Sequence, residues 1–195
     1  MVDSIGDADR WNARYRQEGE DWLQRQPHRL LLDTLPLLPR RGIALDAAAG
    51  VGRDSRCLAA HGLHTIAVDI SEVALRLNRQ RALSLSLPIS CVNADLSHFH
   101  LPPGSCDVIV NFYFLERAAL PVYRSALKPG GWLIFETFVT GFDDLPHPDY
   151  YLQPGELPAA FPGWETVSRA QEMIPPTEGH GLRAVARWVA RKPGR

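Results

Sequence analysis

The sequence predicts an α/β fold, a three-layer sandwich on a seven-stranded, mostly parallel sheet with one antiparallel strand near its end. Three observations predict it. Short apolar runs alternate with helical patterns from residue 43 to residue 137, which implies right-handed crossovers and a sheet covered on both faces. A glycine-containing turn joins the first run to the helix after it, the Rossmann-like arrangement. The rhythm then breaks, because residues 164–170 and 182–190 read as two strands with no clear helix between them.

Residues 9–18 read as a helix, with Asp7 or Asp9 as its cap and Gly19 at its end. Trp11 and Tyr15 are four apart and share one face. A second helix starts at Pro27, turns Leu30, Leu31 and Leu35 inward, and stops at Pro36 and Pro39. Residues 43–47 form a buried strand that runs into an Asp and the glycine turn. Residues 53–61 form a helix, with Gly62 just past its end. The second strand, 64–68, closes on Asp69, and Ser71 caps a helix with Val73, Ala74 and Leu77 inside. Residues 88–93 are the third strand, followed by Asp95; 107–112 are a very apolar fourth. A helix over 121–127 precedes the fifth strand, 132–137. A loop with Pro175, Pro176 and Gly179 would join the antiparallel pair.

A length of 195 residues suits one α/β domain, and 45% hydrophobic with 22% charged residues is ordinary globular composition. The organisation expected is an N-terminal helical lid (1–38), a cofactor-binding core (40–140), and a substrate loop with the C-terminal strand pair (141–195). The net charge of −1 carries no basic excess, so nucleic acid is not an expected partner. Arg14, Arg16, Arg25 and Arg29 read as solvated helix faces rather than a phosphate-binding patch. Cys57, Cys91 and Cys106 are odd in number and form no CxxC pair, which speaks against a disulfide framework and a zinc site; no metal is expected. The acidic start MVDSIGDADR has no apolar stretch behind it, and no run approaches the roughly 18 apolar residues of a membrane span. A cytoplasmic monomer or weak homodimer is expected.

The segment ALDAAAGVGRDS carries the chemistry. It lies where ligands bind in doubly wound sheets, at the carboxyl ends of the strands. Gly50 and Gly52 would let the backbone turn tightly and approach a ligand, and the helix from Arg53 would aim its free amides there. The text is GxGxxS from Gly50 to Ser55, an incomplete dinucleotide fingerprint. Asp46, just ahead of the turn, would repel a pyrophosphate and suits an ammonium-bearing ligand such as the methionine end of S-adenosyl-L-methionine; the competing reading is a strand-ending Asp that caps the turn. Asp69 ends the second strand about 20 residues later, where an acid accepts from ribose hydroxyls. Asp95, in NADL, would accept from an adenine amino group, with the Leu96 amide donating to a ring nitrogen. Three carboxylates at three successive strand ends are informative together where each alone is not.

With DAAAGVGRDS, AVDIS, NADL and LKPGGWLIFETF in this order and spacing, the sequence resembles the class I S-adenosylmethionine-dependent methyltransferases over residues 40–140. In the KPGG turn, Lys128 would end a helix, Pro129 forbid its continuation, and Gly130 with Gly131 reverse the chain. WNARYRQEGEDW and PDYYLQPGEL resemble the tellurite-resistance and thiopurine methyltransferase subgroup, which implies small, thiol-like or soft-anion acceptors. The resemblance implies that Asp46, Ala48, Gly50 and Gly52 surround the methionine moiety and that Asp69 and Ile70 hold the ribose and adenine. It further implies that Asp95 and Leu96 read the adenine, and that Asn111 lines the floor near the sulfonium. Ala48 departs from the family's usual Gly, and its methyl calls for room and a negative φ.

Methyl transfer from a sulfonium is an in-line displacement that mainly needs positioning and exclusion of water. No catalytic base is assigned. Among the seven histidines, His98, His100, His147 and His180 lie in loops near the site, where surface duty competes with catalysis. Tyr113, Tyr150 and Tyr151 would line the acceptor pocket or simply pack. NFYF lacks the prolines of the NPPY motif, against methylation of nucleic-acid amino groups. Trp11 and Tyr15 would cover the cofactor or staple the first helix to the core, and 141–163 would form an acceptor lid. Two rivals remain: an NAD(P)-dependent oxidoreductase, which shares the strand–glycine–helix unit and Asp69, and a non-catalytic S-adenosylmethionine-binding module.

Overall fold

The computed structural model describes residues 6–140, 148–174 and 183–194. The N-terminal part is helical: α1 spans Asp7–Leu23 and α2 spans Arg29–Thr34, continued by a 3-10 turn at Leu35–Leu37. The alternating part follows: β1 Ile43–Ala47, α3 Arg53–His61, β2 His64–Asp69, α4 Glu72–Ser84, β3 Ile89–Asn93, β4 Cys106–Phe112, α5 Ala119–Ala126 and β5 Leu127–Val139. A short helix, α6 Glu156–Ala160, leads to β6 Glu165–Ile174, and β7 is Arg183–Arg191.

The seven strands form one sheet in the order β3-β2-β1-β4-β5-β7-β6. Strands β1 to β5 pair in parallel, whereas β7 lies antiparallel between β5 and β6. Strand order reverses between β1 and β4, so the loops leaving these strands open a crevice at the carboxyl edge. Alternation along β4 feeds two cores. Ile109 packs with Leu45, Leu133 and Tyr123, while Val108 and Val110 pack with Leu31, Leu58 and Ile134 on the opposite face. Among the described residues no helix is long and apolar enough to cross a membrane.

Several elements differ from the sequence expectation. α1 continues through Gly19 to Leu23. Gly19 is there for contact: a Cβ on it would lie 2.5 Å from Leu77 Cδ1 of α4. Lys128 ends no helix, because α5 stops at Ala126 and β5 already includes the KPGG segment. That segment is paired on one side: Gly130 N–H donates to Lys192 O at 3.0 Å and Lys192 N–H to Gly131 O at 2.9 Å. Lys128 Nζ meets Asp107 Oδ2 at 2.7 Å. The 141–163 stretch includes a 3-10 turn at Pro148–Tyr150 and α6, joined by Arg117, which pairs with Glu156 at 2.6 Å and donates to the carbonyls of Asp149 and Tyr151. His147, His180 and the loop with Pro175, Pro176 and Gly179 lie outside the described residues.

Candidate functional site

A cavity of about 810 Å³ opens at the carboxyl ends of β1, β2, β3 and β4, within the usual size of small-molecule sites. Asp46, Ala48, Gly50, Asp69, Ile70, Asp95 and Leu96 all line it, together with Trp11, Tyr15 and Trp22 of α1.

The turn after β1 is built from left-handed backbone: φ is +56° at Ala48, +53° at Gly50 and +76° at Gly52. The negative φ expected of Ala48 is not what the turn adopts, and an L side chain in this region costs roughly 1–2 kcal/mol. Gly50 is required by proximity, since a Cβ there would lie 2.5 Å from the Tyr15 hydroxyl. Gly52 does not face the cavity. It caps α3, and a Cβ on it would sit 2.1 Å from the buried side chain of Asn78.

Asp69 is 6% exposed and ties the turn to α4: one oxygen accepts from Gly50 N–H at 2.7 Å, the other from Ser71 N–H at 2.8 Å. Burial raises its pKa, opposed by these backbone hydrogen bonds. Each oxygen keeps a further lone pair for a ligand hydroxyl. Asp95 is half exposed; the hydroxyl and N–H of Ser97 donate to it and hold it below the usual carboxylate range. Asp46 is 3% exposed and accepts from Ser55 Oγ at 2.5 Å. Burial first, and the charge of Asp54 second, push it up to about 8. Without a cation beside it, burial therefore favours the protonated form of Asp46.

Asn111 is 1% exposed and does not line the cavity. Its Nδ2 donates to Phe114 O at 2.7 Å, and its Oδ1 accepts from the Tyr123 hydroxyl at 3.1 Å. It shapes the wall from behind, since Phe112, Tyr113 and Phe114 do face the cavity. Tyr113 has φ +54°. His98 is exposed and pairs with Asp95 at 3.7 Å.

Sequence reasoning missed the residues that hold α1 and α2 against this edge. Asn12 of α1 accepts from Ser71 Oγ at 2.7 Å and Val73 N–H at 3.2 Å, so it caps α4 together with Ser71. His28, the residue before α2, is bound by Asp54 of α3 through its backbone N–H at 2.9 Å and Nδ1 at 2.7 Å. The signal available was Asp54 in the first turn of a helix, with a His directly after Pro27.

Comparison with known proteins agrees with this geometry. Residues 44–131 match the family model described as a methyltransferase domain. Demethylmenaquinone methyltransferase of Clavibacter sepedonicus is 35% identical over 101 residues, which cover 49% of this chain and 41% of that protein. The match thus spans less than half the length of that relative. TehB from Haemophilus influenzae superposes with a TM-score of 0.74 at 20% identity, over 90% of this chain and 65% of that one. Haemonchus contortus phosphoethanolamine N-methyltransferase 2, solved with phosphomonomethylethanolamine and S-adenosylhomocysteine, superposes with a TM-score of 0.74 at 15% identity, over 99% and 61% of the chains. The chain has the class I methyltransferase fold, and its segment 44–131 matches a methyltransferase domain.

Proposed function

We propose that the chain is an S-adenosyl-L-methionine-dependent methyltransferase acting on a small molecule, thiol-like or a soft anion. The observation that carries this reading is the cavity at the strand-order reversal, edged by acids at the ends of β1 and β2 and just past β3. The donor set fits the cofactor. Asp46 suits its ammonium group, Asp69 its ribose hydroxyls, and Asp95 its adenine amine, with Ile70 and Leu96 flanking a flat ring. A dinucleotide pyrophosphate brings no cation to meet the buried Asp46, whereas an ammonium group does, and the antiparallel β7 is foreign to the expected oxidoreductase sheet. Both points favour the methyltransferase over the NAD(P)-dependent reading.

When bound, S-adenosylmethionine supplies an electrophilic methyl on sulfur. The protein's part is to bind, orient and exclude water. The turn 48–52 and the acids orient, while Trp11, Tyr15 and Trp22 cover the cavity from α1, in keeping with a lid over residues 1–38 and a core over 40–140. The same reading holds the protein to be a cytoplasmic monomer or weak homodimer that does not act on nucleic acid, which agrees with its net charge of −1. The test is a mass-spectrometric screen with S-adenosylmethionine and small thiols, metalloid oxyanions and amines, beside protein and nucleic acid. Methylation of a soft small acceptor is expected; modification of macromolecules alone would contradict it.

A further inference from the structure

The same cavity has a second wall, built around His28. Its ring lies flat on Phe112, with centroids 4.0 Å apart and planes 15° apart. Asp54 holds it from behind, Oδ2 facing Nδ1 at 2.7 Å. An ionised carboxylate only accepts, so Nδ1 carries the proton and Nε2 keeps a lone pair. The other neighbour suits the same tautomer: Nη2 of Arg53, which only donates, faces Nε2. Among the described residues, His28 is the one imidazole that lines the cavity. Tyr113 stands beside it, ring centroids 5.3 Å apart, on left-handed backbone of the kind that clusters at functional sites. Arg53 also lines the cavity; its other contacts are long, 3.4 Å to Gln26 O and 3.6 Å to Asp54.

We propose that His28 is the general base of the acceptor subsite and that Arg53 binds an anionic group of the acceptor, a small hydroxy- or mercapto-carboxylate. This rests on the methyltransferase reading above. Asp46, Asp54 and Glu116 also line the cavity, so a singly charged carboxylate fits better than a doubly charged phosphate. The acceptor's O–H or S–H displaces the Arg53 N–H from Nε2 and gives its proton to that nitrogen. The freed electron pair forms the bond to the methyl carbon, and the carbon–sulfur bond breaks with its pair returning to sulfur, leaving a neutral thioether. Asp54 stabilises the imidazolium, which releases its proton to solvent after product leaves.

The test uses the full chain with S-adenosylmethionine, and salicylate, 2-mercaptobenzoate, lactate and 3-mercaptopropionate as acceptors, with phenol and thiophenol as uncharged controls. At least one carboxylate is expected to be methylated in preference to the controls. His28→Asn keeps an N–H for Asp54 but has no base; it should lower kcat about 100-fold or more with KM nearly unchanged. Arg53→Gln should raise KM about tenfold or more, the loss of one charge-assisted hydrogen bond. A readout independent of turnover is the ¹⁵N spectrum of the His28 ring, which should show Nδ1 protonated and Nε2 bare. No turnover of any carboxylate, preference for the uncharged controls, unchanged kcat in His28→Asn, or a protonated Nε2 in the neutral ring would overturn the proposal. Calorimetry with S-adenosylhomocysteine, run alongside, separates these outcomes from failure of the methyltransferase reading, in which wild type would not bind it.

Discussion

At Asp46 the sequence pointed to a carboxylate beside the glycine turn, and the structure adds what its surroundings do to it. A carboxyl that holds its proton up to about pH 8 in the fold, and loses it near 4 when unfolded, stabilises most fully below pH 4. That contribution is lost as pH rises towards 8. Asp46→Asn should therefore melt higher than wild type at pH 8 without ligand, with the gap closing towards pH 4 in thermal scans. A cationic ligand would draw the proton off. Wild-type affinity for S-adenosylmethionine should then rise between pH 6 and 8 with release of a proton, seen by calorimetry in buffers of different ionisation enthalpy, while Asp46→Asn binds about tenfold or more weakly at pH 8. Ala48 holds a left-handed φ without glycine's freedom. Ala48→Gly should stabilise the protein by up to about 1 kcal/mol in denaturant titrations, the relieved strain outweighing the added freedom of the unfolded chain. Residue types alone could not show either effect, because both depend on how the turn folds against Tyr15 and Asp69.

The elements of the alternating region were legible because each has its own punctuation. Ser71 caps α4 and accepts from Ala74 N–H at 3.2 Å, and Gly62 ends α3 at φ +119°. Where punctuation and packing conflict, packing prevails: Gly19 reads as a stop yet sits inside α1, because α4 approaches it too closely for a side chain. The docking of α1 rests on Asn12, whose carbonyl serves two donors of the α4 cap. Asn12→Ala should cost about 1–2 kcal/mol of stability by chemical denaturation and weaken cofactor binding, since the cavity loses its cover. Unchanged affinity would show that α1 is no lid. The β5–β7 pairing holds a buried carboxylate, Glu136, against Arg187 at 2.7 Å. Arg187→Met would strand that charge and should cost about 3 kcal/mol or more.

For the molecule as a whole, alternation along the chain and the late strand pair were enough to anticipate the sheet order's main feature, one antiparallel strand near the end. The strand-end acids were equally legible, because sequence position alone puts Asp46, Asp69 and Asp95 there, and all three line the cavity. The wall around His28 was not. His28, Asp54 and Phe112 meet across α2, α3 and β4, and Asn111 turns inward to Tyr123, so only the folded chain reveals which of them face the cavity. The central claim is that these strand-end acids bind S-adenosylmethionine. Calorimetric titration with S-adenosylmethionine and S-adenosylhomocysteine, with NADH and NADPH as controls, on wild type and Asp69→Ala, tests it most directly. Saturable one-to-one binding of the sulfur compounds, weakened by the substitution, is the predicted result. Binding of the nicotinamides instead, or affinity for the sulfur compounds that ignores Asp69, would contradict it.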